Sequence, residues 1–265
     1  MATTYVNKLE AGMAEKLAGV ESLIFDLDDV LFDKGEWIMH SLEYAAERMG
    51  FDGQHAWELA VKFREEQGKV DFNIYNYILD GLGQSDSARN IKALSDFAAE
   101  YRPLRGQIEF YPGVKNALME LRESHNMGLV TDGVVLCQRA KVSALGLKDI
   151  FHEILFTDSI AGRASRKPDP RPFESMWLSL KTRKDKVLII GANPRKDFEL
   201  RKKEGFLTLR VLTGEYAALD YQSDKQRADY CLPTVAHLPG LIELARSVPV
   251  AHDDAAVADT TLRIA

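Results

Sequence analysis

Short apolar runs alternate with helical patterns along much of this chain, and this alternation restricts its fold more than any other feature. The apolar runs lie at 22–25, 127–131, 153–157, 187–190 and 207–211. Most of them are separated by segments whose apolar residues recur at helical spacing. Strands that alternate with helices pair in parallel, because each helix carries the chain back to the same end of the sheet. The sequence therefore predicts an α/β fold with a doubly wound parallel sheet.

The stretch from about residue 37 to residue 102 has a different character. Its apolar residues recur at helical spacing, as in the group Leu42, Ala45 and Met49, and strand-like runs are few. We therefore expect an all-helical domain at 35–104, inserted into a core domain. The core would be formed by 20–34 and 105–246.

The two ends of the chain differ from this core. Apolar residues recur every four positions near the start, which predicts an N-terminal helix within 1–19. They are Tyr5, Leu9, Met13 and Leu17. The segment 247–265 is poor in large apolar residues, so we expect a flexible tail there.

Composition limits the classes of function. With 34 basic and 40 acidic side chains the formal net charge is -6, so no overall positive field attracts nucleic acid or an anionic membrane. No apolar run approaches the roughly 20 residues that a membrane-spanning helix needs. Cys137 and Cys231 lack metal-ligand spacing, and we interpret them as ordinary buried thiols of a cytoplasmic protein. The sequence does not indicate protein partners.

Two carboxylates, Asp26 and Asp28, follow the first apolar run. The carboxyl edge of the strands is where open α/β sheets bind ligands. Side chains separated by one residue act on the same ligand only if the chain leaves extended geometry at that point. One such carboxylate can attack phosphorus, while the other protonates the leaving oxygen and later deprotonates water. Considered alone, the segment 26–29 is equally typical of a solvated acidic turn.

Two further segments carry polar groups. Thr131, Asp132 and Gly133 end the second apolar run and offer a hydroxyl and backbone amides without bulk. Lys167 precedes a proline-marked helix start and offers a compact cation. Alone, the first segment is an ordinary turn and the lysine an ordinary surface residue.

Together these segments resemble the haloacid dehalogenase superfamily. The first motif of that family is matched by Phe25-Asp26-Leu27-Asp28-Asp29-Val30-Leu31, the second by Leu129-Val130-Thr131-Asp132-Gly133 and the third by Lys167-Pro168-Asp169-Pro170. The resemblance covers about residues 23 to 211. It implies a Rossmann-like core whose inserted helical domain is a C1-type cap, a lid that closes over the active site and selects the substrate.

The resemblance also implies roles for single residues. Asp26 would be the nucleophile and Asp28 the acid and base, with Thr131 and Lys167 as catalytic residues. Thr131, Asp132 and Lys167 would bind the substrate phosphate. The implied cofactor is Mg²⁺, with Asp26, Asp28 through its backbone carbonyl, and Asp197 as ligands.

The fourth motif departs from the family pattern. Gly191-Ala192-Asn193-Pro194 stands where family members have Gly-Asp, and that carboxylate ordinarily binds the metal. Three explanations stay open. Asp197 compensates, directly or through water; the chain is a naturally degenerate relative; or Ala192 is a laboratory substitution.

The sequence thus predicts a phosphatase that hydrolyses a small phosphorylated metabolite through an aspartyl-phosphate. The alternatives are an impaired or inactive protein that binds a ligand or regulates a partner, a phosphomutase and a 2-haloacid dehalogenase. Dehalogenation needs neither the second aspartate nor a metal, so Asp28 argues against it and Ala192 argues for it.

Overall fold

The computed structural model describes residues 11–70, 73–84, 88–101, 108–199 and 204–249. Within these residues it contains a six-stranded sheet and ten α-helices. The chain divides into an α/β unit and a helical unit. The α/β unit comprises the described parts of Met1–Leu31, Phe110–Gly133 and Lys148–Ala265. The helical unit comprises those of Phe32–Glu109 and Val134–Leu147.

All strand pairs of the α/β unit are parallel, and their spatial order is β3-β2-β1-β4-β5-β6. This is the order of a doubly wound, Rossmann-like sheet, so the predicted fold class is confirmed. The strands are β1 Ser22–Phe25, β2 Asn126–Thr131, β3 Glu153–Phe156, β4 Val187–Gly191, β5 Leu207–Val211 and β6 Tyr230–Leu232.

The central strands are apolar on both faces. Every residue of β1 and β4 is buried, as expected for parallel strands with both faces covered. On one face, Phe173 and Met176 pack in a cluster with Ile24 and Val130. The helices of this unit are α1 Ala11–Ala18, α6 Val114–Arg122, α8 Asp158–Ala161, α9 Arg171–Ser179 and α10 Leu238–Ser247.

Helix α1 contacts helix α10. The Tyr230 hydroxyl also donates to the carbonyl oxygen of Met13 over 2.7 Å, and Leu17 is fully buried. Part of the expected N-terminal helix therefore belongs to the core of the α/β unit. Tyr5 and Leu9 lie outside the described residues, as does the predicted tail from residue 250 onward.

The helical unit has its own apolar core. Leu42, Phe63, Ile78 and Leu94 come from four different helices and are buried in one cluster. These helices are α2 Lys34–Arg48, α3 Gly53–Gln67, α4 Ile74–Gly81 and α5 Ala88–Tyr101. They follow β1 and precede β2, which is the place in the chain of a C1-type cap.

The start of α2 is fixed by Asp33. Its carboxylate accepts from the backbone N of Gly35 over 2.8 Å and forms an ion pair with Arg64 of α3 at 2.5 Å. The unit also includes α7 Val135–Ala144, where the Lys141 ammonium lies 4.0 Å from the ring centre of Trp37. The expected boundaries assigned α7 to the core, and the domain limits stay a prediction.

Neither unit contains a described helix that is both long enough and apolar enough to cross a membrane. Cys137 and Cys231 are partly buried free thiols.

Candidate active site

Asp26 lies directly after β1, where the sheet still holds its backbone. Its backbone N donates to the carbonyl oxygen of Ile190 in β4 over 2.9 Å. The chain then turns, since the backbone N of Leu31 donates to the carbonyl oxygen of Leu27 over 3.1 Å. Asp29 within this turn has a φ of 61°, a left-handed conformation that aspartate tolerates better than most residues. The chain thus leaves extended geometry directly after Asp26, as joint action of Asp26 and Asp28 requires.

β1 and β4 are the strands between which the sheet order reverses. In open α/β sheets the ligand crevice lies at this point, outside the carboxyl ends of the strands. Asp26 follows β1, and Ala192 follows β4, whose residue Ile190 pairs with Phe25. Asp26 and Ala192 therefore lie at neighbouring strand ends on this edge.

Lys167 joins two carboxylates at the same edge. Its Nζ lies 2.7 Å from Oδ2 of Asp26 and 2.9 Å from Oδ1 of Asp197. The side chains of Lys167 and Asp197 are each 2% exposed, and that of Asp26 is 16% exposed. Three charged groups from distant parts of the sequence therefore meet in one largely buried cluster.

The cluster changes the acidity of its members. Burial raises the pKa of Asp26 to about 7, although Lys167 opposes the increase, while Asp197 and Asp28 add to it by repulsion. Burial acts to lower the pKa of Lys167, but the carboxylates of Asp197 and Asp26 outweigh it and the pKa is raised. Lys167 therefore stays a cation, whereas Asp26 needs additional positive charge nearby to be fully ionised at neutral pH.

Thr131 and Asp132 lie at the end of β2, beside β1. The pairing of Phe25 with Leu129 brings Thr131 to the same sheet edge as Asp26, and Thr131 is completely buried. Oδ1 of Asp132 accepts from Oγ1 of Thr157 over 3.0 Å and from the backbone N of Lys167 over 3.1 Å. The Asp132 carboxylate is thus engaged with protein groups.

The segment after β4 determines where Asp197 lies. The backbone N of Asn193 donates to Oδ2 of Asp197 over 2.9 Å. A Cβ atom at Gly191 would lie 2.5 Å from that same oxygen, so the absence of a side chain makes room for the carboxylate. Ala192 is buried, and its methyl group provides no oxygen ligand. Asp197 therefore takes its place between Lys167 and a backbone amide.

The model of one protein family matches residues 23–211, which is more than half of the chain. The description of that family is haloacid dehalogenase-like hydrolase. The chain belongs to this family.

Curated relatives of this hydrolase are distant. A glyceraldehyde 3-phosphate phosphatase from Pyrococcus furiosus is 25% identical over 232 residues, covering 85% of this chain and 92% of its own length. A phosphoglycolate phosphatase from Rhodospirillum rubrum is 29% identical over 185 residues, covering 66% and 72%. A subfamily IA hydrolase structure from Geobacter sulfurreducens has the same fold, with a TM-score of 0.61, 16% identity and coverage of 84% and 97%.

The site of this hydrolase brings together some of the residues singled out in its sequence. Asp26, Lys167 and Asp197 are in direct contact, and Thr131 and Asp132 lie at the same edge. Asp28 is close enough to raise the pKa of Asp26. Within the described ranges, no three His, Cys, Asp or Glu side chains are grouped so as to hold a metal ion.

Sequence reasoning overlooked Thr157. This buried residue directly follows β3 and bonds to Asp132, and its backbone N donates to the carbonyl oxygen of Thr131 over 3.0 Å. The signal was available, because a polar residue at the carboxyl end of a predicted strand is the same pattern that drew attention to Thr131. Ser165, whose hydroxyl donates to the carbonyl oxygen of Thr157, has no comparable signal in the sequence.

Proposed function

We propose that this hydrolase is a phosphatase that acts on a phosphate monoester of a small metabolite, through an aspartyl-phosphate at Asp26. The observation that carries the proposal is the ion pair between Asp26 and Lys167 at the carboxyl end of β1. A carboxylate held 2.7 Å from an ammonium group is placed for attack on a phosphorus atom whose oxygens the same cation attracts.

The chemistry then has two steps. In the first, an oxygen of Asp26 forms a bond to phosphorus while the bond from phosphorus to the ester oxygen breaks, and Asp28 protonates that oxygen. In the second, Asp28 takes a proton from water, the water oxygen attacks phosphorus, and the bond to Asp26 breaks. Inorganic phosphate leaves, and both aspartates return to their starting state. Thr131 and Lys167 hold the phosphoryl oxygens throughout.

The carboxylate chemistry of these residues suits a Mg²⁺ ion. Mg²⁺ is commonly bound through one or two carboxylates, with water and substrate phosphate completing its shell. Asp26 and Asp197 both contact Nζ of Lys167 and would be these two carboxylates. The Asp28 backbone carbonyl would be a further ligand. The ion would supply positive charge that keeps Asp26 ionised. Since Ala192 provides no oxygen, we expect weak binding.

The substrate class follows from the relatives. Their names specify glyceraldehyde 3-phosphate and phosphoglycolate, which are small phosphorylated metabolites. We infer that this hydrolase acts on compounds of similar size, and that its helical unit serves as the cap that selects among them.

The test is a panel of phosphate monoesters that includes glyceraldehyde 3-phosphate and 2-phosphoglycolate, assayed with and without Mg²⁺. Three proteins are compared: the parent, Asp26→Asn and Asp149→Asn, an exposed position where the same chemical change should have no effect. We expect phosphate release from the parent and from Asp149→Asn, with loss of at least about a hundredfold in Asp26→Asn. Equal release from all three would refute Asp26 as nucleophile.

Ala192 favours a second candidate, a binding protein of the same fold that does not turn over its ligand. Its methyl group replaces a charge that the metal site of an active enzyme would use. No release from any ester by the folded parent or by Ala192→Asp would favour this candidate. Chloride release from 2-haloacids by the same proteins would instead favour dehalogenation.

A further inference from the structure

One oxygen of Asp132 connects three segments of the α/β unit. Oδ1 accepts from the Thr157 hydroxyl at the end of β3 and from the backbone N of Lys167. Asp132 itself follows the last residue of β2. The carboxylate therefore links two adjacent strand ends to the loop that carries the lysine of the candidate active site.

The same loop is anchored a second time at Thr157. Oγ of Ser165 donates to the carbonyl oxygen of Thr157 over 2.7 Å and accepts from the backbone N of Ala161 over 3.0 Å. Ser165 is completely buried. The segment before Lys167 is thus fixed at Ser165 and at Lys167, and both contacts lead to the end of β3.

Lys167 is held at both of its ends. Asp132 binds its backbone, and the ammonium group is 2.7 Å from Asp26 and 2.9 Å from Asp197. The negative charge of Asp132 also contributes to the raised pKa of Lys167. A long, flexible side chain loses less entropy on binding phosphate when its backbone and its charge are already in place.

Asp132 is poorly suited to binding the phosphate itself. A carboxylate repels a phosphate dianion, and its Oδ1 already accepts two hydrogen bonds from the protein. Oδ2 is buried and lacks a hydrogen-bond partner among the residues that the structure describes. A buried acceptor without a partner costs stability, so its presence calls for a compensating role.

We propose that Asp132 is a positioning residue for Lys167, fixing the lysine backbone so that its ammonium group stays between Asp26 and Asp197. The sequence suggests a phosphate contact at this segment through the Thr131 hydroxyl and backbone amides, and this assignment gives the Asp132 side chain a separate role. The assignment rests on the proposed function in one respect, because that function provides the phosphoryl group that Lys167 binds.

The test measures how well Lys167 is held, without any turnover. The intact protein is treated with a limiting amount of an amine-acylating reagent, and modification of each lysine is quantified by mass spectrometry. Lys181 is exposed and reports reagent activity, whereas Lys141 is buried and reports unfolding of the helical unit. Hydrogen exchange of β1 and β4 peptides reports unfolding of the α/β unit. Each variant is also checked by its melting temperature.

In Asp132→Ala we expect acylation of Lys167 to rise about fivefold, the change that corresponds to the loss of one net hydrogen bond, with Lys141 unchanged. Asp132→Asn keeps an acceptor oxygen and should restore protection to within about twofold of the parent. Unchanged acylation in a folded Asp132→Ala protein would overturn the proposal. Equal loss of protection in both variants would overturn it too, because charge and not the hydrogen bond would then hold the lysine.

Thr157→Val provides a second route if Asp132→Ala does not fold. It removes one of the two donors to Oδ1 and leaves the charge and the contact with Lys167. We expect Lys167 acylation to rise about twofold. Acylation that stays at the level of the parent would contradict the proposal. A protein that hydrolyses no ester but shows these changes would refute the proposed function and leave the positioning role intact.

Discussion

Replacing Asp26 by asparagine removes a carboxylate that the fold holds in an unfavourable charged state. Burial and the nearby Asp197 raise its pKa from 3.8 to about 7, even with Lys167 in contact. The folded protein therefore binds a proton more tightly than the unfolded chain does. The stability contributed by this proton is fully present below about pH 4 and is lost as the pH rises through about 7. Asparagine stays neutral, so Asp26→Asn does not suffer this loss.

The size of the effect follows from the pKa. At about pH 5 the unfolded chain has already lost this proton, whereas the folded parent keeps it until the pH approaches 7. Between about pH 5 and about pH 8 the parent therefore loses stability over about two pH units, at about 1.4 kcal/mol per unit. The stability of Asp26→Asn relative to the parent should therefore increase by about 3 kcal/mol over this interval. The difference in free energy of unfolding between variant and parent removes the contribution of the other titrating groups, which are the same in both proteins.

The assay is urea unfolding in EDTA at the two pH values. Hydrogen exchange of β1 and β4 peptides reports the free energy of unfolding of the α/β unit separately from that of the helical unit. Asp149→Asn, at an exposed position, is the matched control for the change from aspartate to asparagine. A relative stability of Asp26→Asn that is the same at both pH values, within about 0.5 kcal/mol, would show that Asp26 is not held in a buried acidic cluster.

Three further predictions follow from single positions. Ala192→Asp adds a carboxylate near Asp26 and should therefore bind Mg²⁺ more tightly than the parent. At matched ionic strength, about 10 mM Mg²⁺ should raise the melting temperature of Ala192→Asp by at least about 3 °C more than that of the parent. Ala192→Asn, the control, should show no such gain. Gly191→Ala places a Cβ 2.5 Å from Oδ2 of Asp197, which Lys167 and a backbone amide hold in place, and should cost about 1–3 kcal/mol in urea unfolding. A Cβ at Gly128 would meet only apolar side-chain atoms of Met176 and Leu180, so Gly128→Ala should cost less; the reverse order would contradict the packing argument. Burial lowers the pKa of His125 below 6.5, so folding stability should fall as the pH drops below about 6.5, and this part of the pH dependence should be absent from His125→Gln in melting experiments.

The sheet was largely predictable from the sequence because its strands are buried on both faces. Runs such as Leu188-Ile189-Ile190 have no polar alternation, which identifies a covered parallel strand. β6 Tyr230–Leu232 is only three residues long and lies at the sheet edge, so it leaves too short a pattern to recognise. Helix α7 was missed because its residues, which include buried Gln138 and Lys141, show little helical segregation of apolar side chains.

Part of the candidate site was predictable for a topological reason. Parallel strands end at one edge, so polar residues after β1 and β2 must be neighbours wherever the strands pair. That rule accounts for the position of Thr131 at the same edge as Asp26. It gives no information about Lys167, whose loop follows β3, and there the resemblance to a family suggested what the topology could not.

The contacts of Asp197 depend on the small residues that precede it. The carboxylate contacts Lys167 through one oxygen and the backbone N of Asn193 through the other, and its role as a metal ligand stays a prediction. Gly191 permits this arrangement by the absence of a Cβ, and Ala192 leaves no neighbouring carboxylate to repel it. A further carboxylate at that point would increase the repulsion on Asp26 and make a divalent cation more necessary. In the proposed function, the methyl group at position 192 would therefore influence both the affinity for Mg²⁺ and the ionisation of Asp26, so the two should change together when it is replaced.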